Sequence, residues 1–132
     1  MSDSLVVGRF SLVERYAIII KNRINLYPNE YTPNMYLIEK TVTFDKWLRK
    51  LKDLRAKAKI LLRIQKLEKD EHFGDCEPVG DGIKELKISY AKGYRVYFKE
   101  KDGKIIILLI GGDKSTQQKD IQKAKEIWKS LK

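Results

Sequence analysis

Between Glu85 and Phe98 the chain alternates twice between polar and apolar residues. Leu86, Ile88 and Tyr90 are separated by Lys87 and Ser89, and Tyr94, Val96 and Phe98 by Arg95 and Tyr97. A period of two marks a strand with one buried face, because successive side chains leave a strand on opposite sides. Two such runs around a short glycine-bearing stretch predict a β-hairpin. Both apolar sets fall at even numbers, so an antiparallel register with both on one face pairs residues whose numbers sum to an even value. The loop then holds an odd number of residues, for example Tyr90-Ala91-Lys92 with Gly93 in a left-handed bulge. The same register forces Lys87, Ser89, Arg95 and Tyr97 side by side onto the other face, next to Glu85.

The rest of the chain fills in around this hairpin. Met35 to Lys40 reads as an opening strand. Phe44, Trp47, Leu48 and Leu51 follow at helical spacing behind Thr43 as N-cap, and Asp53 caps a second helix with the stripe Leu54, Ala58, Leu61, Ile64 and Leu67, ended by Gly74. These two helices form an αα-hairpin. Ile105 to Ile110 is continuously apolar, as a central strand covered on both faces would be. Ser115 with Gln118 three residues on reads as a capping box for a last helix bearing Ile121, Ala124, Ile127, Trp128 and Leu131. The order is that of an α+β domain: a two-helix hairpin and a C-terminal helix packed on a mostly antiparallel, four-stranded sheet.

Charge divides the chain. Residues 1–34 carry 4 basic against 3 acidic residues and residues 35–132 carry 24 against 15, which together give the formal net charge of +10. The turn-rich stretch from Tyr27 to Asn34, with two prolines and two asparagines, separates an N-terminal extension (1–34) from a basic domain (35–132). That extension has one short candidate element, Ser11 to Ile24, and is read as a true extension or as the product of a start assigned upstream of Met35.

Composition removes several function classes. At 42% hydrophobic residues the chain buries roughly two thirds of its unfolded surface, enough for a core without metal or disulfides. One cysteine, Cys76, and one histidine, His72, leave no set for a zinc site and no Cys-His or Ser-His-Asp nucleophile system. Neither is expected to be catalytic. No apolar run approaches the roughly 18 residues of a membrane span, and no secretory leader is visible, so the expected location is cytoplasmic. A strongly basic domain suits phosphate-bearing partners, or an acidic protein that neutralises it.

Two clusters can carry chemistry. Lys87 beside Arg95 opposes two cations, which cross-strand pairing disfavours; an anion between them relieves the conflict, as does neutralisation of Lys87 by Glu85 on a solvated polar face. At Gly111-Gly112-Asp113-Lys114-Ser115-Thr116-Gln117 a strand gives way to a helix, so backbone N–H groups and Lys114 suit a phosphate, while Asp113 or Ser115 as a plain cap is the alternative. Tyr97 and Tyr90 are candidate platforms for stacking on bases. Basic residues from Arg49 to Lys66 line the helical hairpin, as a solvated face or as a surface for ribosomal RNA or an acidic partner.

Phe44-Asp45-Lys46-Trp47-Leu48, then Val79 to Ile88, then Gly93-Tyr94-Arg95-Val96-Tyr97-Phe98, then Leu109 to Gln117 and Asp120-Ile121 resemble, in order, the phage-derived addiction-module killer proteins. These are HigB-like members of the RelE/ParE toxin superfamily. The resemblance covers residues 35–132 and implies the RelE-like fold and a type II toxin. Such a toxin is a metal- and cofactor-independent endoribonuclease that cuts mRNA in the ribosomal A site. Its implied partners are ribosome, mRNA and a cognate antitoxin, often of helix-turn-helix type. Carried over, the active surface comprises Lys87, Arg95 and Lys114. The family's second lysine position holds Glu85 and its helix tyrosine position falls near Asp120. Metal-free RNA cleavage needs a base for the 2′-hydroxyl, charge stabilisation and an acid for the leaving oxygen. Arg95 and Lys114 are the expected charge stabilisers, Lys87 and Glu85 competing bases, and Tyr97 the acid. Lys84, Ser89, Lys92, Gly112, Ser115 and Gln117 are the expected RNA contacts around them. Alternative readings are a ParE-like gyrase inhibitor and a non-catalytic, antitoxin-binding module.

Overall fold

The computed structural model describes residues 6–9, 36–69 and 76–131. His72, Gly74, the Ser11 to Ile24 stretch and the Tyr27 to Asn34 linker lie outside the described residues. In chain order the elements are β1 (Val6–Arg9), β2 (Leu37–Thr41), α1 (Val42–Lys50), α2 (Leu54–Lys69), β3 (Cys76–Gly80), β4 (Ile83–Ile88), β5 (Tyr94–Lys101), β6 (Ile105–Gly112), a 3-10 turn at Lys114–Thr116 and α3 (Gln117–Leu131). None of the described helices is long and apolar enough to cross a membrane.

The sheet corrects the four-stranded expectation. Its order is β1-β2-β6-β5-β4-β3, six strands, and β2 pairs with β6 in parallel while the other neighbours are antiparallel. Both unexpected strands are short edges. β3 contains Pro78, which cannot donate to a ladder and is tolerated at an edge, so its sequence carries little strand signal. β1 lies within residues 1–34, ahead of the stretch expected to be a linker, and pairs with β2. The parallel pair arises because the chain leaves β2 through α1 and returns to its side only at β6.

Helices cover both faces. α1 and α2 set Phe44, Leu48, Ala56, Ile60, Ile64 and Leu67 against Leu86, Ile88, Val96, Phe98, Ile106 and Leu108. α3 sets Ala124 and Ile127 against Ile83, Tyr97, Ile107 and Leu109 on the other side. β6 is covered twice, as its unbroken apolar run predicts. The hairpin register is also the one parity demands: Ile88 faces Tyr94, Lys87 faces Arg95 and Glu85 faces Tyr97, with Gly93 left-handed at φ +74°.

Three local expectations are corrected. α1 is capped by Thr41, not Thr43: the Thr41 hydroxyl accepts from the Phe44 N–H (3.0 Å) and donates to the Leu109 carbonyl (2.7 Å), tying the helix start to the central strand. Leu54 is 71% exposed and the buried stripe of α2 runs through Ala56 and Ile60 instead, although Asp53 caps the helix as expected. At α3 the cap is Asp113, whose carboxylate accepts from the Ser115 N–H (2.8 Å) and hydroxyl; the 3-10 turn then runs into the helix, so Ser115 and Gln118 form no capping box.

Candidate functional site

The register of the hairpin builds one open cleft. Of about 460 Å³, it is lined at the hairpin tip by Lys87, Ser89, Tyr90, Lys92 and Arg95, and on the far side by Lys114 from the 3-10 turn. The turn is tied to the hairpin loop by the Lys114 N–H, which donates to the Lys92 carbonyl (3.4 Å). Lys92 and Lys114 are exposed, with their ammonium groups free of ion pairs among the described residues. Gly93 also brings the loop close to the arginine: a Cβ there would lie 2.9 Å from Arg95 Nη1. Of the residues expected at the site, Lys87, Arg95, Lys114, Ser89 and Lys92 therefore meet in one place.

The opposed cations Lys87 and Arg95 are neutralised separately. Lys87 Nζ pairs with Glu77 Oε1 at 3.0 Å, and Glu77 is well exposed on the edge strand β3. Glu85 serves Arg95 instead, its Oε2 standing 3.8 Å from Arg95 Nε. Glu77 escaped the sequence reading because β3 did; no signal in Cys76-Glu77-Pro78-Val79-Gly80 announces a strand. Arg95 Nη1 donates to the Gly93 carbonyl at 2.6 Å, so the guanidinium is anchored from two sides.

Glu85 and Tyr97 do not line the cleft. Both are buried, at 1% and 0% exposure, in the layer between sheet and α3. The Tyr97 hydroxyl donates to Glu85 Oε2 (2.9 Å), and Gln117 Nε2, at the first residue of α3, donates to the same oxygen (2.7 Å). Burial, then the Glu85 carboxylate, push the Tyr97 hydroxyl well above the ordinary tyrosine range. A fully buried ring offers no face to a base, so Tyr97 is no stacking platform; Tyr90, half-buried at the cleft wall with the Lys59 ammonium 5.3 Å from its ring centroid, is the aromatic within reach.

The remaining expected contacts lie elsewhere. Gly112 is buried, facing Arg95 across the ladder, and a Cβ there would fall 1.8 Å from Asp120 Oδ2. Ser115 is exposed but donates to Asp113, Gln117 is engaged by Glu85, and Lys84 lies outside the cleft. The Ser115 and Thr116 N–H groups at the start of the turn go to the Asp113 carboxylate and carbonyl, so the chain itself fills the phosphate cradle expected there. The Ser115 hydroxyl above all holds the Asp113 carboxyl below its ordinary range. Burial raises that of Asp120, which accepts from the Thr116 hydroxyl (2.6 Å).

The chain matches the family model described as phage-derived protein Gp49-like over residues 46–129. It is also 56% identical, over 94 residues, to an uncharacterized protein of Haemophilus influenzae (strain Rd), a span covering 71% of this chain and 94% of that relative. No solved structure matches.

Proposed function

This chain belongs to the Gp49-like family of phage-derived proteins, which is related to RelE-type toxins, and from that premise we propose that it is the toxin of a type II toxin-antitoxin pair. Its activity in this reading is HigB-like, metal-independent cleavage of mRNA on the ribosome. The observation that carries it is the cleft where Lys87, Lys92, Arg95 and Lys114 converge from two elements of the chain. Four cations around one opening suit the sugar-phosphate backbone, whose binding releases counterions. Arg95, anchored through Nη1 and beside Glu85 through Nε, points its remaining N–H groups at a phosphate as its charge builds, and Lys114 adds a point charge from the opposite wall.

Proton transfer falls to groups that reach the opening. Glu85 is enclosed and already accepts two hydrogen bonds, so the base in this reading is Lys87 as the neutral amine. It leaves the exposed Glu77, gives its proton to water because Lys92, Arg95 and Lys114 crowd it with like charge, and then takes the proton of the 2′-hydroxyl. Tyr90 takes the place of Tyr97 as a hydroxyl within reach of the leaving oxygen. A helix-turn-helix antitoxin with an acidic surface would silence the toxin by covering these cations.

Primer extension on mRNA after induced expression tests the reading: cuts within codons at the A site are the expected result. Arg95→Ala should lower cleavage about 10²–10³-fold, the usual cost of one transition-state donor, while the protein still folds and binds its antitoxin. Intact mRNA with damaged DNA would instead assign gyrase as the target, and intact mRNA and DNA a module that only binds antitoxin.

A further inference from the structure

Three groups converge on one oxygen of Glu85. Tyr97 Oη at 2.9 Å and Gln117 Nε2 at 2.7 Å are within hydrogen-bond range of Oε2, while Arg95 Nε at 3.8 Å is not. Arg95 Nε is buried and accepts no substitute: it has no hydrogen-bond partner. A carboxylate oxygen has two in-plane lone pairs, and here both are taken by neutral donors. The arginine, only 12% exposed along its side chain, is thus held close to Glu85 by charge without a hydrogen bond to it, while its Nη1 donates to the Gly93 carbonyl.

From this we infer that Glu85, Tyr97 and Gln117 act as a positioning unit that keeps the Arg95 guanidinium beside its counter-charge yet open to the cleft. The inference deepens the nuclease reading and rests on it for its catalytic consequence. A guanidinium is planar, so fixing Nη1 on the Gly93 carbonyl and Nε near Glu85 fixes where every other N–H points. Gln117 is the first residue of α3, directly after the turn that carries Lys114, so the same oxygen also sets the distance between the two charges on opposite walls. Without Glu85 the cation would be left in a buried site with no counter-charge and would swing out to water. Without Gln117 or the Tyr97 hydroxyl a lone pair is freed, and Arg95 would close onto Glu85 and leave the cleft.

The two kinds of variant therefore fail in opposite directions. In the full chain, proton exchange of the Arg95 Nε–H, followed by nitrogen-15 NMR, should accelerate in Glu85→Gln and slow in Gln117→Ala. Cleavage of mRNA on the ribosome should fall in both, by about 10–100-fold in rate with little change in KM, the loss expected when a group is misplaced by an ångström. Exchange moving the same way in both variants, or staying unchanged in either, would overturn the positioning unit. Should Glu85→Gln fail to fold, Tyr97→Phe joins Gln117→Ala in testing for slower exchange, and unchanged exchange there overturns the proposal. If the wild-type protein cuts no mRNA on the ribosome, the nuclease reading falls and the exchange measurement still decides the positioning claim.

Discussion

The two faces of the sheet are built from the same strands and solve opposite problems. Under α1 and α2 the even-numbered residues of the hairpin, Leu86, Val96 and Phe98, sit at 0% exposure among aliphatic and aromatic neighbours. Under α3 the odd-numbered residues begin in the same way, with Ile83 and Tyr97 enclosed, but Glu85 is buried among them and, towards the hairpin tip, Arg95 and Lys87 emerge at the cleft. Two residues along a strand separate interior from opening. The apolar face holds the domain together by area; the other face spends part of its burial on a hydrogen-bonded carboxylate, which stays favourable only while every partner is present. Function is expected on the face whose burial is incomplete.

Truncation on each face makes that difference measurable. Phe98→Ala should have the largest effect, lowering stability by about 3–5 kcal/mol, because a large ring at 0% exposure leaves a cavity that its neighbours cannot fill. The midpoint of urea unfolding reads it, and a loss under about 1 kcal/mol would mean that this core repacks freely. Tyr97→Phe keeps the ring and removes only the hydroxyl. Its expected cost is smaller, about 1.5–3 kcal/mol for a hydrogen bond to a charged group, and Gln117 remains to satisfy the oxygen. If Tyr97→Phe proved as damaging as Phe98→Ala, the α3 face would depend on its polar cluster as much as the other does on its apolar contacts.

What could be read from the residues follows the range of the signal. Parity alone determined the hairpin register and therefore the meeting of Lys87 with Arg95, because a one-residue slip would turn every side chain over. The α2 stripe went astray for the converse reason. Leu54 and Ala58 are helically spaced, and so are Ala56 and Ile60, with Ile64 and Leu67 common to both readings; only the sheet beneath decides between them. The same holds for Glu85, Tyr97 and Gln117. Local pattern placed the first two on a polar face, but burial came from α3, some thirty residues downstream of Glu85, whose first residue supplies the second donor. The edge strand β3, and with it the Lys87–Glu77 pair, had Pro78 to conceal it.

The smallest effect tests whether the α3 face tolerates charge beyond its one built network. Asp120 lies on this face over Gly112, and burial raises its carboxyl above the ordinary 3.8, opposed by the Thr116 hydroxyl and assisted by the charge of Asp113. A carboxyl raised on folding binds its proton more tightly in the folded state than in the unfolded chain. Its contribution therefore turns unfavourable as pH rises from 3.8 through the folded value, and stays so at neutral pH. Asp120→Asn keeps an acceptor for Thr116 and removes the charge, so it should stabilise the protein by about 0.2–1 kcal/mol at pH 7, the range left after solvent screening. The gain should vanish as pH falls below 3.8. Urea midpoints of the two proteins at neutral and acid pH read the difference. A variant less stable than wild type at pH 7 would show that the ionised carboxylate is held by Thr116 as firmly as Glu85 is held by Tyr97 and Gln117, and that this face carries two charge-binding networks.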